Sequence, residues 1–385
     1  MNCLNELLLP EKEEEPAIAT PSVALRLAAL DAARGMAMLL VCLAHFSQYY
    51  LSLNTFPGTL IFPLCMLATP SFMLISGALT GYIRSCNPEQ FFKFEKLLLS
   101  RGIFLLTVGH ILISLAHIYR SANILDAFRW IFVTDAIGVA IIAGPPIVRK
   151  VSSGKRLLLS FALLTISWWC TVAFYPTTPL QHAVKELLWG SYENTFFELS
   201  FPFFSWLAFY IASSLVGEYI ASCQRQDESL SSLPSRLMTV GCVIFCIGAA
   251  LKILDFIAIR LSILPAQGVM WKLTSPFQKD PPGLTYILVY GGASVVMIGA
   301  MFFIERARLL VRLVAHLQMF GQTSLFLFIA QYYVYYTFVP FFHTKSLPGG
   351  WPLHFLVSIL LLSSMAAFWQ KQNLNRYLKV RWFVR

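Results

Sequence analysis

The sequence predicts an all-α polytopic membrane protein of about ten transmembrane helices with both termini cytoplasmic, and three observations carry that prediction. The first is composition. Of 385 residues, 57% are hydrophobic and 12% are charged, whereas soluble globular chains average roughly 45–50% apolar and about 25% charged. The second is run length: crossing about 30 Å of hydrocarbon takes about 20 mostly apolar residues. Ten segments meet that requirement, beginning near positions 33, 59, 98, 129, 157, 199, 237, 284, 318 and 351. The third is the distribution of basic residues. Of the 29 Lys and Arg, 21 fall in the N-terminal region, the even-numbered connections and the C-terminal tail; 7 fall in the odd-numbered connections and Lys252 lies within a span. Basic loops stay on the cytoplasmic side. The same distribution accounts for the net charge of +10 without any nucleic-acid partner.

Residues 1–25 read as a flexible acidic tail, with Glu11, Glu13, Glu14 and Glu15 and little to bury. No basic n-region precedes the first run and no small-residue cleavage pattern follows it, so it is expected to stay as an anchor. Residues 26–372 form the transmembrane domain, and 373–385 a basic cytoplasmic tail. In the first span, Asp31, Arg34 and His45 fall on one helical stripe, with His45 about 16 Å deeper than Arg34 at 1.5 Å per residue. Ionisable groups in hydrocarbon usually face a protein-lined cavity and act there. The alternative is an interfacial Asp31/Arg34 pair with a hydrogen-bonded structural His45.

In the second span, Gly77 and Gly81 have the spacing that lets two helices approach closely. Arg101 opens the third span, in which His110 and His117 share one face. Asp135 lies early in the fourth. Residues 176–198 and 260–283 are the longest connections, both on the expected outer side, and read either as lids and acceptor loops or as plain connections. Aromatic residues from Phe326 to Phe342 crowd the ninth span, where interface belts account for most of them. The eight cysteines form no C-x-x-C pair, and Cys242 and Cys246, one turn apart, lack companions that would complete a metal site. No metal is expected.

Arg34, Arg84, Lys93, Lys96 and Arg101 cluster where the first three spans meet the cytoplasm. That density suits phosphate groups, although orientation alone also produces basic loops. Arg101 is the more specific signal, because a guanidinium can hold phosphate oxygens bidentately. His45, His110 and Asp135 lie at middle or outer depth, so the outer half is richer in groups that handle protons. A cationic inner mouth and a deeper imidazole suit transfer of an acyl group from a phosphate-bearing carrier to an acceptor across the membrane, with His45 as general base.

At these residues the chain resembles the heparan-α-glucosaminide N-acetyltransferase-like family of the membrane acyltransferase superfamily. Asp31-Ala-Ala-Arg34-Gly35 followed by His45 is similar to its first-span signature, and Thr69 through Gly77 to its second-span motif. Arg101-Gly102, Asp135-Ala-Ile-Gly138, the segment from Phe201 through Trp206 to Gly217, Lys279-Asp-Pro-Pro282 and Phe320 through Leu325 follow in family order. The resemblance covers almost the whole chain. It implies transfer of an acetyl or other short acyl group from acetyl-CoA, or a related acyl-CoA, on the cytoplasmic side to a saccharide-type hydroxyl or amine at the outer side. His45 would be the catalytic base, supported by Asp31, Arg34, Asp135 and Gln331. Arg34, Arg101, Arg84 and Lys96 would bind the carrier, and His110 would stand on the acceptor side.

Two positions depart from the family pattern: Ala44 stands where an acidic residue is common, and Gln331 where His is common. The implied partners are the lipid bilayer, acyl-CoA and the saccharide-type acceptor, and a homo-oligomer is compatible with them. The implied location is a multi-pass integral membrane protein, in the inner (plasma) membrane for a bacterial source. One alternative class is a transporter or flippase whose buried Arg34, His45 and Asp135 line a proton or substrate path, but the chain shows no clear internal repeat. Another is a membrane scaffold or sensor, suggested by Ala44 and Gln331.

Overall fold

All ten apolar runs form helices, as expected where lipid offers the backbone no hydrogen-bond partner. The computed structural model describes residues 27–52, 56–118, 121, 123–226, 231–261, 263, 269–338 and 350–378. The acidic tail 1–25 and residues 379–385 of the basic tail lie outside them. Helix α1 spans Ala28–Tyr50, and α2 (Gly58–Cys65) and α3 (Ala68–Cys86) share the second span. Helix α4 (Phe91–Phe104) continues through a π-turn at Leu105–Gly109 into α5 (His110–His117). The short α6 (Ile124–Ala127) precedes α7 (Val133–Lys150), α8 (Ser153–Ala173), α9 (Pro179–Leu188) and α10 (Phe203–Arg225). Then come α11 (Leu233–Arg260), α12 (Val269–Thr274), α13 (Leu284–Arg306), α14 (Val311–Gln322), α15 (Ser324–Tyr333) and α16 (Trp351–Lys371).

Among the described residues, eight helical segments are long and apolar enough to cross a membrane by length and composition, or nine if α14 and the helix that follows, bent by 81°, make one span. The fourth expected span is α7, an 18-residue helix that carries Asp135, Arg149 and Lys150 along with Pro145 and Pro146. Its charges keep it outside that count. The expectation of ten spans thus becomes eight that meet the length and composition required, a sharply bent ninth and a shorter, more polar α7.

Close backbone crossings set the centre of the bundle. A Cβ on Gly35 would overlap the Leu317 carbonyl, and one on Gly321 would overlap the Asp31 carbonyl, so α1 and α14 touch main chain to main chain. Gly81 meets the Ser214 carbonyl and Gly217 meets the Ala78 carbonyl, which joins α3 to α10 in the same way. Gly102 of α4 lies against Gly138 of α7. Small residues let helices approach closely enough for dispersion contacts to hold them where lipid removes any hydrophobic drive to associate. Arg34 and Arg101 each adjoin one of these glycines, so the contacts also fix the depth of the two guanidinium groups.

Helices α8, α11 and α16 lie outside this centre. Only 22%, 11% and 17% of their apolar windows are buried, and Leu158, Phe161, Trp169, Val243, Phe256, Leu356 and Phe368 are exposed. Those faces suit lipid tails. A buried ion pair ties α8 inward: the Arg156 guanidinium, with no exposed surface, bonds to Glu218 and, at 2.6 Å, to the Ser214 hydroxyl of α10.

At the end of the bundle away from Arg34, a two-stranded parallel sheet joins Trp130–Ile131 to Leu199–Ser200 in the register Trp130↔Leu199 and Ile131↔Ser200. The connection between α8 and α10 has its own structure here. In α9, Thr178 and Gln181 form a capping box ahead of Pro179, and the Glu186 carboxylate accepts the backbone N–H groups of Thr195, Phe196 and Phe197 at 2.7–3.1 Å.

The α1/α14 crossing tolerates no side chain. We expect Gly35→Val or Gly321→Val to destabilise the folded protein by at least about 3 kcal/mol, read as a lower thermal midpoint in detergent. Gly154→Val, at a glycine where an added Cβ would meet nothing within 4 Å, should leave the midpoint within about 1 kcal/mol of the parent.

Candidate active site

Two cavities lie end to end beside α1. The first, about 150 Å³, is lined by Arg34, Thr80, Arg101, Tyr210 and Phe328 among others. The second, about 110 Å³, is lined by His45, Cys65, His117, Lys279, Tyr336 and again Phe328. Phe328 therefore stands between the two spaces, its ring edge-on to Phe72 with centroids 5.9 Å apart. Along α3 the lining passes from Ala68 and Thr69 at the His45 cavity to Phe72, Ser76 and Thr80 at the arginine cavity. On α7 it passes from Val133 to Thr134, Ile137 and Ile141. The stripe seen in the sequence thus has its arginine at one cavity and its histidine at the other.

His45 is held by a side chain 286 positions away. Its Nδ1 lies 2.6 Å from Oε1 of Gln331, and the Gln331 amide is itself oriented because Nε2 donates to the Phe328 carbonyl at 3.2 Å. An amide oxygen only accepts. Nδ1 of His45 must therefore carry a proton, which puts the lone pair of the neutral ring on Nε2. Tyr332 and Tyr336 flank the imidazole at centroid distances of 4.7 and 5.6 Å. Gln331 has no exposed surface, so this orientation is set by the packed core.

His117 is buried, and its Nδ1 donates to the Ile113 carbonyl at 2.9 Å. Its ring lies among Trp130, Phe132, Tyr332 and Tyr336. His110, on the same face two turns earlier, pairs with Asp135 at 3.1 Å and is absent from the lining of either cavity. Asp135 also accepts the Phe132 N–H at 2.7 Å, which caps the start of α7. Asp31 accepts from Gln322 at 3.4 Å, beside the α1/α14 crossing.

Lys96 lies over the Phe92 ring at 5.3 Å, away from both cavities, and Arg84 lines a further space toward the end of α3. Reasoning from sequence did not single out His117, Lys279 or Phe328 as site residues. The seven-residue spacing of His110 and His117 was one available signal, and Lys279 in the Lys279-Asp-Pro-Pro282 motif was another. Lys279 comes from the connection between α12 and α13, with its Nζ 5.5 Å from the Phe201 ring centre. Beside it, burial pushes the Asp280 carboxyl up to about 6 against the pull of the Lys279 charge. Among the described residues, no group of three or more His, Cys, Asp or Glu is placed to hold a metal ion.

Residues 26–254 match the catalytic domain of heparan-alpha-glucosaminide N-acetyltransferase. The chain belongs to that family. The match contains Arg34, His45, Arg101, His117 and Asp135 and stops short of Lys279, Phe328 and Gln331. No curated protein matches the chain. Family membership makes this a membrane acetyltransferase by class, and the two cavities show where its ionisable residues converge.

The Gln331 amide imposes one imidazole tautomer. In protein labelled with nitrogen-15 histidine, neutral His45 should give the shift pattern of an Nδ1-protonated ring, and Gln331→Leu should change it. An Nε2-protonated ring in the parent protein would contradict the geometry.

Proposed function

We propose that the protein transfers an acetyl or other short acyl group from acyl-CoA to a saccharide-type hydroxyl or amine, with His45 as general base. The observation that carries the reading is the placement of the two cavities. A cationic one and an imidazole-bearing one adjoin at Phe328 inside a chain of this family. The excess of Lys and Arg in the even-numbered connections and the tails supports assigning the arginine end to the cytoplasm, where acyl-CoA is found. Arg34 and Arg101 then hold the carrier's polar groups. The acyl end extends past Phe328 toward His45, over a rise along α1 of about 16 Å, a reach of the order of an extended pantetheine arm.

In the reaction so arranged, Nε2 of His45 takes a proton from the acceptor hydroxyl or amine as that atom attacks the thioester carbonyl. The carbonyl oxygen gains negative charge, and the Lys279 ammonium on the same cavity suits that charge. The carbon–sulfur bond breaks, the acyl group stays on the acceptor, and the CoA thiolate takes the proton back from His45. No enzyme nucleophile is needed. Gln331 acts by holding the ring, as a positioning residue whose amide cannot itself exchange a proton. A His at this position in other members could relay one, and this chain does without the relay.

The row of cavities would also serve a transport path, and the two readings separate in proteoliposomes. Labelled acetyl-CoA should yield acetylated acceptor from a panel of amino and neutral sugars. His45→Ala should lower the rate by about 10²–10⁴-fold, and Arg101→Gln should raise KM for acetyl-CoA by about tenfold or more. Undiminished transfer in His45→Ala would remove His45 from the mechanism, and acceptor flux without consumption of acetyl-CoA would replace this reading with transport.

A further inference from the structure

A third space, about 390 Å³, continues the row beyond the Arg34/Arg101 cavity and is lined by Arg84, Ser85, Pro88, Phe91, Arg149 and Arg225. Its position follows from the helices it shares with its neighbour. On α3, Thr80 lines the Arg34/Arg101 cavity and Arg84 the third space, one turn apart; on α4, Phe94 lines the former and Phe91 the latter. Arg149 lies at the end of α7 and Arg225 ends α10. Three helix ends therefore bring three guanidinium groups to one concave space, and none of its lining residues is acidic.

The charge there is not cancelled by its neighbours. Arg84 pairs with Glu218 at 3.3 Å, but that carboxylate also holds the buried Arg156. Arg149 pairs with Glu95 at 2.8 Å, while Arg225 donates to the Ser85 carbonyl at 3.2 Å. In this group, two carboxylates thus face four guanidinium groups. Arg84 also reaches the Arg149 carbonyl at 3.5 Å, so the arginines are tied to each other's helices and oriented before any ligand arrives. Positive-inside bias accounts for basic residues at this end. It does not account for their convergence on a cavity from three separate helices.

We propose that this three-arginine vestibule is a phosphate-ester binding site, separate from the Arg34/Arg101 cavity. Planar guanidinium forks match phosphate oxygens bidentately, and the excess of two positive charges suits a group carrying two negative ones. Two sources offer that chemistry at this end of the bundle. One is the nucleotide phosphates of the acyl carrier, a choice that rests on the acyl-transfer reading; the other is the headgroup of an anionic phospholipid. The row of spaces favours the nucleotide, because a carrier with its phosphates in the vestibule would lay its arm through the Arg34/Arg101 cavity toward Phe328.

The test uses the full chain in nanodiscs of phosphatidylcholine alone and adenosine 3′,5′-bisphosphate, which has the phosphates and no acyl group to transfer. Calorimetry should show binding, weakened about tenfold or more by Arg149→Gln and by Arg225→Gln, with KM for acetyl-CoA raised in parallel and kcat largely kept. Because either variant could perturb folding, an azido derivative of the bisphosphate should also label the unaltered protein between residues 84 and 91 or near Arg225. Replacing part of the lipid with phosphatidylglycerol separates the sources: competition that disappears in Arg225→Gln assigns the vestibule to a lipid phosphate, and no competition assigns it to the nucleotide. Labelling confined to other segments, or binding of both phosphate probes unchanged in the two variants, would overturn the proposal. The site would survive a failure of acyl transfer if the bisphosphate still bound and labelled there; the transfer reading would survive if the parent acetylated acceptors and both variants kept its KM.

Discussion

An ionisable side chain in hydrocarbon is stable only where protein or water surrounds it, and the arrangement of this bundle follows from that constraint. Arg34, His45 and Arg101 cannot face lipid, so the helices that bear them turn inward on shared spaces. The main-chain crossings at Gly35, Gly102 and Gly321 hold those helices at the required depth. A substituent at any of these crossings would move a guanidinium or an imidazole relative to its cavity. Packing and chemistry are therefore joined at neighbouring residues, Arg34 with Gly35 and Arg101 with Gly102.

The His45–Gln331 bond shows how a packed core can select one imidazole tautomer. A buried imidazole with both nitrogens open to alternative partners has no defined basic atom, and an amide carbonyl supplies the definition. The Phe328 carbonyl fixes the amide, and the Phe328 side chain lines both cavities. One residue on α15 thus orients the His45 imidazole through its backbone and divides the two spaces with its ring. Ala44 also lines the His45 cavity, where its small side chain leaves room.

Much of the fold was legible in the sequence, since run length and composition report membrane helices directly. All ten expected runs became helices. The breaks in them were less legible: the sharp bend between α14 and α15 sits at Thr323, and nothing in a hydropathy window distinguishes a broken span from a straight one. For the site, the Arg34/His45 stripe could be read because one helix contains both ends. The pairings that complete it could not be. Gln331 meets His45 across 286 positions, His110 turns to Asp135 while His117 faces the cavity, and Lys279 arrives from the connection ahead of α13. Each of these depends on how separate helices pack, which the order of residues in a single sequence does not disclose. Arg149 and Arg225 likewise meet only because the ends of separate helices converge.

The central claim is that one path joins a cationic mouth to His45 by way of Phe328. Electron cryomicroscopy of the protein with a non-transferable thioether analogue of acetyl-CoA tests it most directly. The account predicts phosphate density at the arginine end, the arm crossing beside Phe328, and the acyl carbon within about 3–3.5 Å of a position from which an acceptor atom could reach His45 Nε2. Phosphates at the His45 end, or an arm that leaves the bundle without passing Phe328, would contradict it.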